Sequence, residues 1–358
     1  MSVMAELHAC VNWMEFEASV ILDGTVMLSS YEHLDDMSVL SVHDGHNDAP
    51  PNDCRPESGA KVMVNQRTYV VDSLIGSGGS GCVYKANDGQ RNVALKIVDV
   101  TKTNRETVQV YQDEIKLLCM LQDDPHVIKL YDSQVTENSI FVVMELGEMD
   151  FAQLFKKRPG GGRLDAESIR FYWHEMVKCV SAIQAKNIVH ADLKPANFVL
   201  VDGSIKLIDF GLAAQIADGE QSVCLKQMQG TYPYVSPEAV TRLPGGKGYE
   251  ISLKSDVWSL GCILYALHFG NVPLLKRTLP EMILAVRNEE IRYPPEPPMS
   301  PALEDVLRRC LTRNLNERLS VAEILKHPYI TKKHFFAAAE VRAAIDAVVQ
   351  GATPRAQT

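Results

Sequence analysis

The sequence predicts an α+β fold in two lobes, and two observations carry the prediction. Segments of strand length and strand alternation run from Arg67 to about Leu146, interrupted by one helical stretch. Helical spacing then dominates from Asp165 to about Tyr329. At 358 residues the chain has room for about two domains. Its 46% hydrophobic and 23% charged content suits a globular core that needs no disulfide or metal staple.

Residues 1–63 read as a separate, acidic and largely disordered region. Residues 1–32 hold no helical period through three turns, and "HDGHNDAPPNDCRPES" is too polar and Pro-rich to offset chain entropy. Residues 1–60 carry eleven acids against Arg55 alone, whereas the rest of the chain carries 34 acids and 35 bases. The net charge of −9 therefore belongs to this region. A near-neutral body argues against capture of nucleic acid or an anionic membrane. His43, Asp44, His46 and Asp48 lack the supporting ligands of a metal site, so a solvated segment is the simpler reading. The eight cysteines form no C-x-x-C pair and read as reduced thiols. Without a signal-peptide pattern at its start, the chain is expected in the cytoplasm or nucleus.

In chain order, "TYVVDSLIG" and "GCVYKAND" alternate like two strands joined at glycines, and "NVALKIV" like a third. Val108, Tyr111, Ile115 and Leu118 recur at helical spacing behind caps at Thr103 or Asn104. "VIKLYDS" and "SIFVVMEL" predict two more strands. Ile169, Trp173, Met176, Val180 and Ile183 mark a long amphipathic helix starting near Asp165, with short strands near residues 198–208. Val257 to Leu275 runs nineteen residues without a formal charge, close to membrane-spanning length. Its Ser259, Gly261, His268, Gly270 and Pro273 favour a buried helix followed by a turn. A last helix is expected over residues 335–350.

Gly76, Gly78 and Gly81 spell G-x-G-x-x-G, a weak signal alone. The segment "CVYKA" after Gly81 alternates like a strand, so this is a strand–turn–strand flap whose backbone N–H groups can approach phosphate oxygens. Fifteen residues on, Ala94 and Lys96 share one strand face: the small residue leaves room for a flat base, and the ammonium reaches phosphates. Glu114, on the next helix, could pair with Lys96. The strongest cluster is His190, Asp192, Lys194 and Asn197 in "IVHADLKPANFVL". A carboxylate to orient a hydroxyl, a lysine for phosphate charge and an amide for a metal suit phosphoryl transfer. Asp209-Phe210-Gly211 comes next, and oxygen ligands at Asn197 and Asp209 fit Mg²⁺.

With these motifs in this order, residues from about 68 to 330 resemble a eukaryotic protein kinase domain. Ser236-Pro237-Glu238, its ion-pair partner Arg318, and Asp256 in "SDVWSLG" add to the resemblance. It implies a bilobal protein kinase fold over residues 64–331. A small N-lobe of antiparallel sheet with one long helix would cover about 64–145, and a larger, mainly helical C-lobe about 148–331, before a tail over 332–358. It also implies ATP and Mg²⁺ as cofactors. Gly76, Gly78 and Gly81 would cover the phosphates, and Lys96, held by Glu114, would contact them. Asp192 would accept the hydroxyl proton, Lys194 would neutralise the γ-phosphoryl group, and Asn197 and Asp209 would hold Mg²⁺. Ile75, Val83, Ala94 and Val199 would sandwich the adenine, with Met144 beside the hinge residues Glu145 and Gly147. Thr231 would face Asp192 from the substrate-side loop, and Thr231 and Ser222 are candidate phosphorylation sites.

"IGSGGSGCVYKA", "HADLKPANFVLVDGSIKLIDFGLAAQI", "GTYPYVSPEA" and "ISLKSDVWSLGCILY" look closest to the monopolar spindle kinases, dual-specificity kinases of the spindle checkpoint. That resemblance implies protein substrates with Ser/Thr and some Tyr acceptors, kinetochore or spindle-checkpoint partners, and kinetochore localisation in mitosis. Two features depart from common patterns. The motif usually read H-R-D is His190-Ala191-Asp192, and the substrate-side loop reads Tyr232-Pro233-Tyr234. A Ser/Thr kinase without a mitotic role, and a non-catalytic pseudokinase scaffold, are the alternatives. Intact Lys96, Asp192 and Asp209 speak against the second.

Overall fold

The structure, a computed structural model, describes residues 56–78, 81–156 and 164–331. The disorder and the ligand question expected within residues 1–55, and the helix expected over 335–350, lie outside the described residues. The chain forms two compact units. The first runs to Thr101 and includes Asp132–Val143; the second comprises Lys102–Tyr131 and the chain from Met144 onward.

The first unit is a sheet. Strands β1 (Lys61–Val64), β2 (Arg67–Gly78), β3 (Gly81–Asn87) and β4 (Asn92–Asp99) pair antiparallel in sequence order. Strands β5 (Leu130–Val135) and β6 (Ser139–Glu145) complete the order β1-β2-β3-β4-β6-β5. The β1–β2 turn places Asn65 at φ 51°, a left-handed conformation that asparagine tolerates. Asn65 Nδ2 donates to Asp132 Oδ1 at 2.6 Å, tying the turn to β5. Alternation buries Tyr69, Val71, Tyr84, Ala86, Val93 and Leu95 on one side, as the sequence pattern required. Register shifts between Val71 and Ser73 and between Leu74 and Gly76 bend β2 ahead of the glycine flap. At the other end of the flap Gly81 has φ 110°, and a Cβ there would stand 2.5 Å from Ile97 O, so only glycine fits.

The second unit begins with α1 (Arg105–Met120), whose first turn is capped by Asn104 Oδ1 accepting from Thr107 N–H at 2.8 Å. Next come β7 (Met149–Asp150), α2 (Phe151–Lys156) and α3 (Ala166–Gln184), the last capped by Asp165. Short strands β8 (Ile188–Val189), β9 (Phe198–Val201), β10 (Ser204–Leu207) and β11 (Ala214–Gln215) surround the candidate loop; β9 pairs with β7 and β10, and β11 with β8. Strands β12 (Val223–Leu225) and β13 (Tyr249–Ile251) form a separate antiparallel pair. Helices α4 (Leu253–Phe269), α5 (Leu279–Asn288), α6 (Pro301–Cys310), α7 (Val321–Leu325) and α8 (Pro328–Thr331) complete the unit.

The uncharged run is a buried helix. Fourteen of the seventeen residues of α4 are buried, so it shows no polar face, and it stops at Gly270 with φ 85°. Among the described residues no helix is long and apolar enough to cross a membrane. Trp173 Nε1 donates to Leu260 O at 2.9 Å, joining α3 to α4. Gly261 lets α4 meet the end of α6, since a Cβ there would lie 2.9 Å from Cys310 Cβ.

Candidate active site

The segment from His190 to Asn197 leaves β8 and returns into β9, and its shape is fixed by Asp256 in the first turn of α4. The fully buried Asp256 accepts the N–H of His190 at 2.9 Å and of Ala191 at 3.0 Å. Burial pushes its carboxyl above the usual carboxylate range, against the opposing pull of His190 and these two N–H groups. The His190 ring follows from its bonds. Nδ1 accepts Asp192 N–H at 3.3 Å, so Nε2 carries the proton and donates to Ile208 O at 3.1 Å. Its ring centroid lies 5.4 Å from that of the buried Phe210. Ala191 adopts φ 65°, uncommon for a residue with a Cβ, and the Asp256 bond holds it there.

Asp192 is the centre of a polar cluster. Its Oδ1 accepts both the N–H and the hydroxyl of Thr231 at 2.7 Å. Lys194 Nζ lies 2.8 Å from Asp192 Oδ2 and 3.0 Å from Thr231 Oγ1. Asn197 Nδ2 donates to Asp192 O at 2.8 Å, which leaves its Oδ1 as a free oxygen ligand. The approach of Thr231 depends on Gly230. With φ 101°, a Cβ there would sit 2.9 Å from Ala191 O. Asp209 also takes a left-handed φ, of 64°, and a Cβ on Gly211 would stand 3.4 Å from Asp209 Oδ1 and 3.7 Å from Glu114 Oε2. A side chain at Gly211 would thus stand in van der Waals contact with both carboxylates.

The segment expected to be the hinge is anchored on β9 and β10. Glu145 N–H donates to Lys129 O at 2.8 Å, and Lys206 Nζ lies 2.6 Å from Glu145 Oε2. A Cβ on Gly147 would lie 3.1 Å from Val199 Cβ, so glycine permits close contact with a buried valine. Met144 is half-buried. In the first unit, Lys96 and Ala94 are both buried on β4, opposite Val83 and Lys85 in register. Ile75 is exposed on β2 with the flap glycines.

Outside the cluster, Glu238 and Arg318 form a bidentate pair, at 2.7 Å for Oε1–Nη1 and 3.0 Å for Oε2–Nη2. Burial raises the Glu238 carboxyl, but the Arg318 hydrogen bond and charge outweigh it and hold the group below the usual carboxylate range. Ser222 stands apart from Asp192, its hydroxyl bonded to the Glu250 carboxylate. The structure brings together Asp192, Lys194, Asn197 and Thr231, all named from the sequence, and adds two supports that were not. Gly230 was signalled only by the glycine of "QGTYPY", and the Lys206–Glu145 pair had no local signal. Ser236 is buried without a hydrogen-bond partner for its hydroxyl among the described residues. It lines a cavity of about 10 Å³ with Ala191, Leu225 and Val235.

Residues 69–330 match the family model of the protein kinase domain. The chain is 39% identical over 282 residues to the dual specificity protein kinase Ttk of Danio rerio, covering 76% of this chain and 28% of that protein. It is 36% identical over 296 residues to the serine/threonine-protein kinase mph1 of Schizosaccharomyces pombe, covering 75% of this chain and 44% of that protein. It is 32% identical over 285 residues to the serine/threonine-protein kinase MPS1 of Saccharomyces cerevisiae, covering 75% and 37%. The chain therefore spans less than half the length of each of these relatives. The match runs through β2 to α8 and includes the whole Asp192 cluster and the Glu238–Arg318 pair; this chain belongs to the protein kinase family.

Proposed function

We propose that the chain is an ATP-dependent protein kinase that phosphorylates Ser and Thr, with Tyr as a secondary acceptor, and that it acts as a monopolar-spindle-type kinase in chromosome segregation. The observation that carries the chemistry is the cluster in which Lys194 and Thr231 both hold the Asp192 carboxylate. In the transfer, the substrate hydroxyl oxygen bonds to the γ-phosphorus, the bond to the bridging β–γ oxygen breaks, and ADP leaves. Asp192 orients the hydroxyl and takes its proton, while the Lys194 ammonium offsets charge on the transferring group. Asn197 Oδ1 and the Asp209 carboxylate are oxygen donors of the kind Mg²⁺ prefers, and few protein ligands suit a metal that also takes phosphate oxygens. Magnesium bound there supplies charge neutralisation on the phosphates. Lys96 and the flap glycines serve the phosphates, and Ile75, Val83, Ala94, Val199 and the Met144–Gly147 segment serve the adenine. Thr231 and Ser222 are candidate modification sites, each with its hydroxyl now engaged by a carboxylate.

The mitotic part is supported by the similarity to relatives named Ttk, mph1 and MPS1; on this reading the chain works in cytoplasm or nucleus, with kinetochore enrichment in mitosis. Transfer from γ-labelled ATP to a generic protein substrate tests the chemistry. Asp192→Asn should lower it by at least about a thousandfold with unchanged thermal stability. Equal transfer by the variant overturns the proposal. In the same series, a tagged chain that stays diffuse through mitosis would leave the kinase reading standing and remove the spindle role.

A further inference from the structure

We propose that Lys206 is a positioning residue for the nucleotide base: it holds the Glu145 carboxylate on a neighbouring N–H group and so leaves the Glu145 backbone carbonyl to the adenine amine. The inference rests on the reading that the Met144–Gly147 segment serves the adenine, and adds to it a residue that sets base selectivity. The exchange of bonds at the end of β6 is incomplete. Two residues that form a hydrogen-bonded pair in an antiparallel ladder exchange both of their N–H···O bonds. Glu145 N–H donates to Lys129 O at 2.8 Å. Lys129 N–H donates instead to the Glu145 side chain, at Oε2 and 3.3 Å. The next N–H along, that of Leu130, is also taken by a side chain and donates to Gln122 Oε1 at 2.7 Å. The Gln122 amide is itself fixed, since its Nε2 donates to Leu118 O at 2.9 Å and to Ile128 O at 3.2 Å. Side-chain oxygens thus occupy both N–H groups that would return a bond to the Glu145 carbonyl.

Lys206 decides which oxygen Lys129 N–H meets. Its Nζ lies 2.6 Å from Glu145 Oε2, the same oxygen that accepts Lys129 N–H. The two side chains are largely shielded, at 16% and 17% exposure, against 38% and 55% for Lys85–Asp72. A shielded, charge-assisted bond holds its geometry better than a surface ion pair does. A plain structural staple is the bland reading, but the backbone already joins these segments. Ile128 N–H donates to Leu207 O at 3.0 Å, Leu207 N–H to His126 O at 2.8 Å, and Glu148 N–H to Leu200 O at 2.8 Å. Without the Lys206 ammonium the shielded carboxylate is unpaired, and turning out to water relieves the cost. Lys129 N–H then needs another acceptor, and the Glu145 carbonyl is the ladder partner that completes the exchange.

Base chemistry makes that carbonyl selective. Adenine carries an amine, a donor, where guanine carries an oxygen acceptor. A backbone oxygen left open beside the base favours the first, and one already engaged by Lys129 N–H favours neither. Lys206 touches no base and acts through Glu145 alone.

The test measures, by calorimetry with Mg²⁺ and the full chain, the binding of ADP and of purine riboside 5′-diphosphate, which lacks only the amine. Neither ligand has a γ-phosphoryl group to transfer. The native chain should bind ADP about fivefold or more tightly than the analogue, the worth of one hydrogen bond. In Lys206→Met this preference should fall towards one through weaker ADP binding, with the analogue bound as before, and Lys206→Arg should restore it. A structural role alone would weaken both ligands alike and leave the ratio unchanged. If Lys206→Met does not fold, Glu145→Leu, which leaves no unpaired carboxylate, should show the same loss of preference. A preference near one in the native chain, or an unchanged preference in the folded variants, overturns the proposal. Transfer from Mg-ATP to a protein substrate, measured in parallel, separates this outcome from the kinase reading. Its absence sinks that reading and leaves the role of Lys206 to the binding ratio, whereas a native chain that binds neither nucleotide overturns both.

Discussion

Truncating Glu238 should be among the most damaging single changes in the second unit, and the structure gives its size. Arg318 has a fully buried side chain, while that of Glu238 is 13% exposed. The guanidinium makes two bonds to Glu238 and donates to Thr312 O and Lys254 O, each at 2.9 Å. Its Cζ also lies 5.3 Å from the centre of the Trp258 ring. Glu238→Ala leaves a cation buried with half its partners, and breaking such a pair costs about 3–5 kcal/mol. Arg318→Met leaves the Glu238 carboxylate without its cation, held by the Ser255 hydroxyl at 2.8 Å and a backbone N–H, and should cost a similar amount. The double variant loses both charges together, so its cost should fall short of the sum by about 2–3 kcal/mol, the coupling of network residues. Urea unfolding of Trp13→Phe chains, followed by the emission of buried Trp173 and Trp258, measures this cycle. With a slope of about 3 kcal/mol/M, each single change should move the midpoint by roughly 1–1.7 M. A cost below about 1 kcal/mol for Glu238→Ala, or additive singles, would refute the account of a buried, mutually dependent pair.

Two further outcomes are expected. Since Arg318 holds the Glu238 carboxyl below its ordinary value, this group stabilises the fold above the unfolded carboxylate value of about 4.3 and loses that contribution as pH falls through the lower folded value. Stability should therefore drop more steeply below about pH 4.5 in the native chain than in Glu238→Gln; parallel pH curves would count against it. Ser236→Ala removes a buried hydroxyl that has no partner among the described residues, so stability should stay level or rise by about 1 kcal/mol. A loss above about 1 kcal/mol in thermal unfolding would mean that the hydroxyl is hydrogen-bonded after all.

Much of the fold was legible because its signals are local. The strands of the first unit obey alternation, and the caps at Asn104 and Asp165 stand where helical spacing begins. Helix α4 was the ambiguous element, since burial on every side erases periodicity. Only its polar and glycine residues separated it from a membrane span. Within the site, the spacing of His190, Asp192, Lys194 and Asn197 is itself the loop geometry, so that cluster could be read directly. The left-handed backbone at Ala191 and Asp209 could not, because alanine rarely adopts it and aspartate does so at only a minority of its positions.

By itself, then, the sequence determined the strands of the first unit, the helices that start behind Asn104 and Asp165, the candidate residues Asp192, Lys194, Asn197 and Asp209, and the kinase resemblance, all carried by residues close together in the chain. Tertiary structure decided what depends on distant residues meeting. Asp256 clamps a loop some sixty-five residues upstream, with bonds that fix the turn at Ala191. Thr231 closes on Asp192 because Gly230 leaves room for it. Leu225 and Arg242 come to flank Tyr249 only through the β12–β13 ladder, a pairing of distant segments that spacing along the chain does not record.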